Sequence, residues 1–334
     1  MGQYHHLIAG LPDITLEDSK QAYSVYDFRE EVNEVLSHRD KVLLNLFFLK
    51  YDNLNLLRWL KDPEAELDQR GALSKENFEE QLSSIQEKKK KKRDPEPEYG
   101  QEKKKKPKKV PAYIVEFLKL YQEKLEKESA ENQEDQEDSG FAPQLEQFKL
   151  EYDEVEKDTQ ENPNISWEDI LSALYYEYAM KKGNGFISRW FEINLNIKNI
   201  LTAITCRKYG LDKSLYIIGN NDVAKALKTS NAKDYNLGDE IEYLPAVLKL
   251  AEETDLVMRE KRVDVLKWEW LEYNTIFKVF GIESVFAYLL KIEMIERWTG
   301  LDKAVGEHTF RELIKTMKRE SNSALEEFKK NNKR

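Results

Sequence analysis

The sequence is poor in the residues that crosslink a chain or interrupt a helix. It contains one cysteine, Cys206, so no disulfide can form within the chain, and this is typical of a protein that folds in a reducing compartment. Cys206 lies in an apolar stretch with helical spacing and is predicted to be a buried thiol without a chemical role. Only 13 glycines and 9 prolines are present, which favours long helices joined by few tight turns.

Long apolar runs are also missing. No stretch reaches the roughly 20 apolar residues that a bilayer-spanning helix needs. The first 15 residues carry no lysine or arginine ahead of their short apolar run, which argues against a secretory signal. We therefore expect a cytoplasmic protein that meets a membrane only at its surface or through another protein.

Patterns that carry catalysis or bind metals are not found either. The glycines of 183–185 lack the lysine and the preceding strand of a phosphate-binding loop. Glu293 and Glu296 share a helix face but have no histidine near them in sequence. None of the four histidines forms a His-x-x-x-His or Glu-x-x-His pattern; they are His5, His6, His38 and His308. We predict no catalytic residue, no cofactor and no metal, so an enzyme is the function class with least support.

The residues that are present can build a substantial core under a heavily charged surface. Hydrophobic residues make up 40% of the chain and aromatic residues 11%, while 35% of the residues are charged. The formal net charge is −10, which argues against general affinity for nucleic acids because a phosphate backbone selects a basic face.

Apolar residues recur mostly at steps of three and four residues, which predicts an all-α protein. Residues 28–60 are predicted to form two helices with a break near Ser37, and Gly210 is predicted to close a long helix over 187–209. The segments 4–11 and 215–218 are compatible with a strand as well as with a helical turn. The other main predicted helices begin after Ser74, at Pro111 and near Ser166, or cover 252–277, 284–298 and 307–328.

Two strongly charged segments separate the predicted helices. Residues 87–109 contain twelve Lys or Arg and five acidic residues, a balance of +7, and are predicted to be a disordered or weakly helical insertion. Residues 128–138 form an acidic tract. Three interpretations of the insertion stay open: a solvated segment that pairs loosely with the acidic tract, a polybasic patch for anionic lipid, or a nucleic-acid arm, which lacks interleaved aromatic residues.

The helices contain an internal repeat. Residues 52–60 and 193–201 share Asn-Leu-Asn followed by Leu or Ile, and residues 288–297 form a weaker third echo. Asparagine lowers helix propensity, so its recurrence within helices needs another reason. Its amide can bond to neighbouring backbone or to a facing helix and thereby fix how the helix packs.

Around these residues the chain resembles a known family. The segment 196–201 with 209–211 resembles the Asn-Ile-Lys-x-Ile-Leu … Gly-Leu signature of the C-type subunit of V/A-type ATPases, whose eukaryotic equivalent is the d-type subunit. Residues 280–293 resemble the C-terminal helix of that family, where Tyr-Leu precedes Lys and Glu. The chain departs from the pattern of this C-type family at Ile193, Thr202 and Glu296.

A closer resemblance covers the chain nearly from end to end. It is to an uncharacterised bacterial family encoded among V-type ATPase subunits, and its marks are residues 11–14, 50–60 and 267–270. The resemblance to the C-type family implies three similar helical units arranged as a funnel. We place them at 1–128, which includes the Lys-rich insertion, at 129–250, and at 251–334.

The resemblance also implies a function. The C-type family consists of non-catalytic central-stalk proteins that link the shaft subunits of D and F type to the membrane rotor ring of c or K type and transmit torque for proton or sodium transport. It implies a peripheral position at the inner face of the cell membrane, with membrane contact only through the ring and no nucleic acid as partner. The family motifs single out these candidate contact residues: Asp52, Asn53, Asn55, Arg58, Asn194, Asn196, Lys198, Glu283, Tyr288, Lys291 and Glu293.

Two alternatives stay open at this point. Arg58, Glu283, Lys291 and Glu293 are polar residues in apolar helical surroundings, and they could form pairs between helices or face the shaft. A protein of a different class would also fit the composition, namely a free-standing helical scaffold or a nucleic-acid-associated protein that binds through its Lys-rich loop.

Overall fold

The computed structural model describes residues 4–16, 18, 23–93, 110–134, 166–238 and 241–300. Within these ranges the chain forms twelve helices and no strand, which confirms the all-α class. No helix in the described ranges combines the length and the apolar character that crossing a bilayer demands.

The helices are numbered in chain order. They are α1 (His5–Gly10), α2 (Val25–Val35), α3 (His38–Lys61), α4 (Lys75–Arg93), α5 (Ala112–Glu134), α6 (Trp167–Lys182), α7 (Gly185–Tyr209), α8 (Lys213–Tyr216), α9 (Asp222–Thr229), α10 (Leu244–Ala251), α11 (Leu256–Thr275) and α12 (Ile282–Gly300).

Side chains at the helix ends explain several boundaries that the sequence predicts. Ser166 accepts a hydrogen bond from the Glu168 N–H at the start of α6. Gly210 closes α7 with φ of 69°, a left-handed conformation in which glycine has no steric penalty. The predicted break near Ser37 separates α2 from α3, and the segment 4–11 contains helix α1. Residues 215–218 contain the end of α8 and no strand.

Other segments extend or add to the prediction. Helix α4 continues to Arg93, so the first part of the Lys-rich insertion is helical, which is one of the two states predicted for it. Lysine, glutamate and glutamine have good helix propensity, and extending an existing helix costs less than starting one. The sequence did not predict α9, which begins after the N-cap Asn221, or α10, which has Pro245 in its first turn. Residues 94–109 and the predicted helix 307–328 lie outside the described residues.

The chain divides into two compact units. The described residues up to Ser37 and from Asp264 onward form one unit, in which α2 packs against α12. The described residues of 38–263 form the other unit, in which α7 packs against α6, α8, α9 and α10, and α6 also packs against α3 and α5. The three-unit division and the funnel stay predictions.

Candidate functional site

Polar side chains are buried in the middle of α3, where the surrounding residues are apolar. Asp52 and Asn55 are fully buried, and Asn53 is nearly so. Burying a polar group costs free energy unless it is hydrogen-bonded, so the partners of these side chains indicate what they do.

Asn55 and Asp52 hold the segment that returns to α3 after its C-terminal end. The Asn55 amide nitrogen donates to the Asp68 carbonyl at 2.9 Å, and the Asp68 N–H donates to Asn55 Oδ1 at 2.7 Å. Asp52 Oδ1 accepts from the N–H groups of Ala72 and Leu73 at 2.7 and 2.9 Å. We call these four bonds the first clamp, because they fix residues 68–73 on α3 just before α4 begins.

Gly71 lies inside the first clamp and has no room for a side chain. A Cβ atom there would lie 2.6 Å from Asn55 Nδ2 and 2.8 Å from Asp52 Oδ1. The backbone can therefore approach the two polar side chains only because this residue is glycine.

Arg70 adds an ion pair at the edge of the first clamp. Its guanidinium contacts the Asp68 carboxylate at 2.7 Å and lies 4.2 Å from the centre of the Tyr51 ring. The hydrogen bonds from Arg70 hold the pKa of Asp68 below its ordinary value, although partial burial opposes the shift. Charge and ring contact together stabilise the turn at Asp68.

A second clamp occurs on α7. The Asn199 amide nitrogen donates to the Ile218 carbonyl at 2.8 Å, and the Ile218 N–H donates to Asn199 Oδ1 at 3.2 Å. Asn196 Oδ1 accepts from the Asn221 amide at 2.7 Å, and its own amide donates to the Tyr243 hydroxyl at 2.9 Å. Asn221 caps α9, so the second clamp holds the segment after α8 and the start of α9 on α7.

The two clamps share a spacing that the sequence motif does not show. Each uses two polar residues three positions apart on one helix face, Asp52 with Asn55 and Asn196 with Asn199. If the two segments are aligned by their Asn-Leu-Asn motifs instead, Asn55 corresponds to Asn196, which occupies the other position of its clamp. Asn199 was not among the predicted residues, and the recurrence of this spacing is the signal that could have found it.

The other predicted residues of this unit have separate surroundings. Asn53 Oδ1 accepts from the Tyr113 hydroxyl at 2.7 Å, and burial raises the pKa of Tyr113 well above its ordinary value. Within the part of the chain that the structure describes, Asn194 bonds only within its own helix, to the Trp190 carbonyl at 2.7 Å. Arg58 is exposed on α3, and Lys198 forms a partly exposed ion pair with Asp169 at 3.1 Å. The structure therefore brings only part of the predicted set into the clamps.

The predicted residues of the third echo lie in the unit that contains α12. Glu283 is buried in the first turn of α12, and Glu293 is half-buried. Tyr288 donates its hydroxyl proton to the Pro12 carbonyl at 2.9 Å, and burial, assisted by nearby Tyr23 and acidic residues, raises its pKa to about 12.

Lys291 connects α12 to α11. Its ammonium group lies 3.0 Å from a Glu272 carboxylate oxygen and 4.5 Å from the centre of the Trp268 ring. Trp268 Nε1 donates to the same oxygen at 2.8 Å. Partial burial alone would raise the pKa of Glu272, but the hydrogen bonds from Lys291 and Trp268 hold it below its ordinary value.

The chemistry that these arrangements support is structural. Asp52 Oδ1 and the three clamp asparagines are engaged by backbone or side-chain groups of the same chain. Across the described ranges, no group of three or more His, Cys, Asp or Glu side chains is arranged to hold a metal ion. The clamps position helices and loops of the same chain.

Comparison with known proteins relates the chain to one family. A family model described as "Protein of unknown function (DUF2764)" matches residues 1–321. No curated protein and no solved structure matches the chain.

Proposed function

This chain belongs to the DUF2764 family of proteins of unknown function, and we propose that it is the non-catalytic coupling subunit between the shaft and the membrane ring of a V/A-type rotary ATPase. The observation that carries the proposal is the pair of clamps. They occur in the two segments that resemble each other, and the second lies in the segment that resembles the C-type family.

A coupling protein needs stiffness more than it needs reactive groups. Each clamp ties a returning loop to the middle of a long helix by hydrogen bonds to a buried asparagine side chain, and breaking such bonds leaves that region with unpaired donors and acceptors. A load on these helices is therefore carried by a connected framework. This property supports a role in transmitting torque.

The proposed partners are the shaft subunits of D and F type and the membrane ring of c or K type. Arg58 and Lys198 are the exposed members of the candidate set. The ion pair of Lys198 with Asp169 is partly exposed and contributes little to stability. Lys198 can therefore give up this pair for a contact with a partner at a small cost in free energy. The protein acts at the inner face of the cell membrane and reaches the bilayer only through the ring.

The test is purification of the tagged protein from gently solubilised native membranes, followed by mass spectrometry. We expect shaft and ring subunits in defined stoichiometry with the bait. Recovery of the bait alone, while the intact ATPase purifies without it, contradicts the proposal.

Removal of residues 87–109, which contain all twelve basic residues of the Lys-rich insertion, separates coupling from binding through that segment. The deletion also shortens α4, which ends at Arg93. The coupling function predicts that the shortened protein still assembles with the ATPase, whereas the nucleic-acid alternative predicts that nucleic-acid binding is lost. An electrophoretic mobility assay with DNA and RNA, run beside the purification, distinguishes these outcomes.

A further inference from the structure

The C-terminal end of α7 brings three basic side chains together with one aromatic ring. The Arg207 guanidinium and the Lys213 ammonium group lie 4.2 and 5.5 Å from the centre of the same ring, that of Tyr235. Lys208, the next residue of α7 after Arg207, is exposed. Within the described part of the chain, no carboxylate forms an ion pair with any of these three cations. We call Arg207, Lys208 and Lys213 the basic corner.

Hydrogen bonds orient two of these cations without neutralising them. Arg207 donates to the two carbonyls of 232–233 at 2.7 and 3.3 Å. Lys213 donates to the Ser230 carbonyl and to Asn231 Oδ1. Carbonyl and amide oxygens carry no formal charge, so both side chains keep their positive charge. The segment that follows α9 therefore holds two cations in place, and their charge remains for another group to balance.

Holding the cations this close is unfavourable by itself. Burial, followed by the charge of Arg207, lowers the pKa of Lys213, and nearby Asp212 offsets this shift only in part. Asp212 accepts hydrogen bonds from the Ser214 N–H and hydroxyl, at 2.9 and 2.8 Å. Tyr235 in addition adopts φ of 55°, which is unfavourable for a bulky side chain. An anionic group at the corner would reduce the repulsion between the cations, so this cluster favours an anionic occupant.

Exposed apolar side chains follow the basic residues in sequence. Tyr209 is 67% exposed, Leu211 48% and Tyr216 43%. The Lys208 ammonium group lies 5.7 Å from the centre of the Tyr209 ring, a contact that is weak at an exposed site and leaves the charge in place. A segment that combines acidic with apolar residues therefore matches this surface better than a small inorganic anion does.

The chain contains such a segment shortly before α6. Residues 151–161 hold six acidic residues and one lysine, a balance of −5, and they include Tyr152 and Val155. They lie outside the described residues. The acidic tract 128–138 has no apolar residue larger than alanine, so 151–161 is the better match to the corner. We call residues 151–161 the acidic segment.

The geometry of α6 and α7 places the acidic segment within reach of the basic corner. The two helices pack together and are joined by a short connection, so they run antiparallel, and Lys198 of α7 pairs with Asp169 of α6 at 3.1 Å. The start of α6 therefore points toward the C-terminal end of α7. Arg207 lies about 14 Å beyond Lys198 along the helix axis. Residues 158–165 can span up to about 26 Å when extended, which is more than this distance.

We propose that the acidic segment docks on the basic corner of the same chain and ties the connection between α5 and α6 to the end of α7. Its carboxylates face Lys208, in the field of the other two cations. Its apolar residues contact Tyr209 and Leu211. The tether gives the segment an effective concentration on the order of millimolar, so a separate anionic molecule must compete with it. The inference does not depend on the proposed function, because both parts belong to one chain.

The first experiment treats the purified full-length chain with a carbodiimide, which joins an amine directly to a carboxylate in contact with it. We expect mass spectrometry to find Lys208 joined to a carboxylate of 151–161. The yield should fall in about 1 M salt, where charges are screened beyond about 3 Å. Lys208 joined only to other carboxylates, or to none, overturns the inference, as does joining of 151–161 to the Lys-rich insertion instead.

The same reaction on a mixture of isotopically labelled and unlabelled protein separates one chain from two. Docking within a chain gives crosslinks in which both peptides carry the same label. Pairs of mixed label at the statistical fraction assign the occupant to a second copy and overturn the inference.

The second experiment tests the charge with a matched control. Photoreactive benzoylphenylalanine in place of the exposed Tyr209 should crosslink to the peptide that contains 151–161. The yield should fall by about 5-fold or more in the variant Glu151→Gln, Asp153→Asn, Glu154→Gln, Asp158→Asn. It should stay unchanged in a control that removes as many charges from the acidic tract, namely Glu134→Gln, Asp135→Asn, Glu137→Gln, Asp138→Asn. Equal yields from the two variants overturn the inference.

Discussion

The two clamps perform the same task with different side chains. In the first clamp, all four bonds from Asp52 and Asn55 go to backbone groups of residues 68–73. In the second clamp, Asn199 bonds to backbone, whereas Asn196 bonds to the side chains of Asn221 and Tyr243. The two clamps therefore differ in which groups of the returning segments they bind.

This difference explains the residue types. A carboxylate only accepts hydrogen bonds, which suits Asp52 because two backbone N–H groups converge on it. An amide both donates and accepts, which suits Asn196 because it lies between a donor amide and an acceptor hydroxyl. The common requirement is a polar side chain at each of two positions three residues apart, and the local partners decide between acid and amide.

The largest expected effect comes from removing the carboxylate of the first clamp. Asp52→Leu deprives the Ala72 and Leu73 N–H groups of the oxygen they share, which should lower the free energy of unfolding by about 2 to 5 kcal/mol. Asp52→Asn retains an acceptor oxygen and should lose less than half as much. Urea unfolding followed by circular dichroism measures both; equal losses for the two variants would show that the shared oxygen is not what matters.

A comparable loss is expected when either bidentate asparagine is truncated. Asn199→Ala leaves the buried N–H and C=O of Ile218 without a partner, and Asn55→Ala leaves those of the half-buried Asp68 without one, so each should cost about 2 to 4 kcal/mol. Asn194→Ala is the matched control, because its amide bonds only within α7 and alanine is the better helix former. We expect the control to change the urea midpoint little. A loss for Asn194→Ala as large as that for Asn199→Ala would show that the bonds from Asn199 to Ile218 are not what stabilises the protein.

A smaller effect is expected from filling the space inside the first clamp. Gly71→Ala would place its Cβ against Asn55 and Asp52, so we expect a loss of about 1 to 3 kcal/mol. Gly185→Ala, at a helical position with no atom within 4 Å of the new Cβ, should cost nothing. Combined with Asn55→Ala, the Gly71→Ala change should cost clearly less than alone. Strict additivity in this double-mutant cycle would mean that Gly71 is needed for another reason.

The smallest expected effect is at the third echo, where the contribution of the Lys291–Glu272 ion pair to stability depends on pH. The pKa of Glu272 is lowered in the folded state, so the stabilisation is present above its ordinary pKa in the unfolded chain and is lost as pH falls through the lower folded value. Lys291→Met removes the charged partner and should cost at most about 1 kcal/mol at pH 7, because Glu272 is largely exposed. Thermal unfolding should show this difference shrinking toward pH 3. If the stability difference between Lys291→Met and the wild type persists unchanged at pH 3, it comes from the packing of Lys291 on Trp268 and not from the ion pair.

Features set by neighbouring residues could be predicted from the sequence. The all-helical class, the break near Ser37, the N-cap at Ser166 and the closure of α7 at Gly210 depend on spacing, capping and backbone freedom within a few positions. Short segments were harder, because α1 and α8 have too few residues for their periodicity to separate helix from strand. The extent of α4 stays open in the sequence, because a charge-rich composition is compatible with a weak helix as well as with disorder.

The sequence by itself determined that asparagines recur where helix propensity disfavours them, and that they must therefore bond to something. It could not determine which of them bond to distant parts of the chain. Asn194 and Asn196 differ by two positions, which is about 200° around a helix, so they face opposite sides of α7. Only the tertiary structure decided that Asn196 and Asn199 face the returning segment while Asn194 bonds to its own helix, because the partners lie 19 to 47 residues away along the chain.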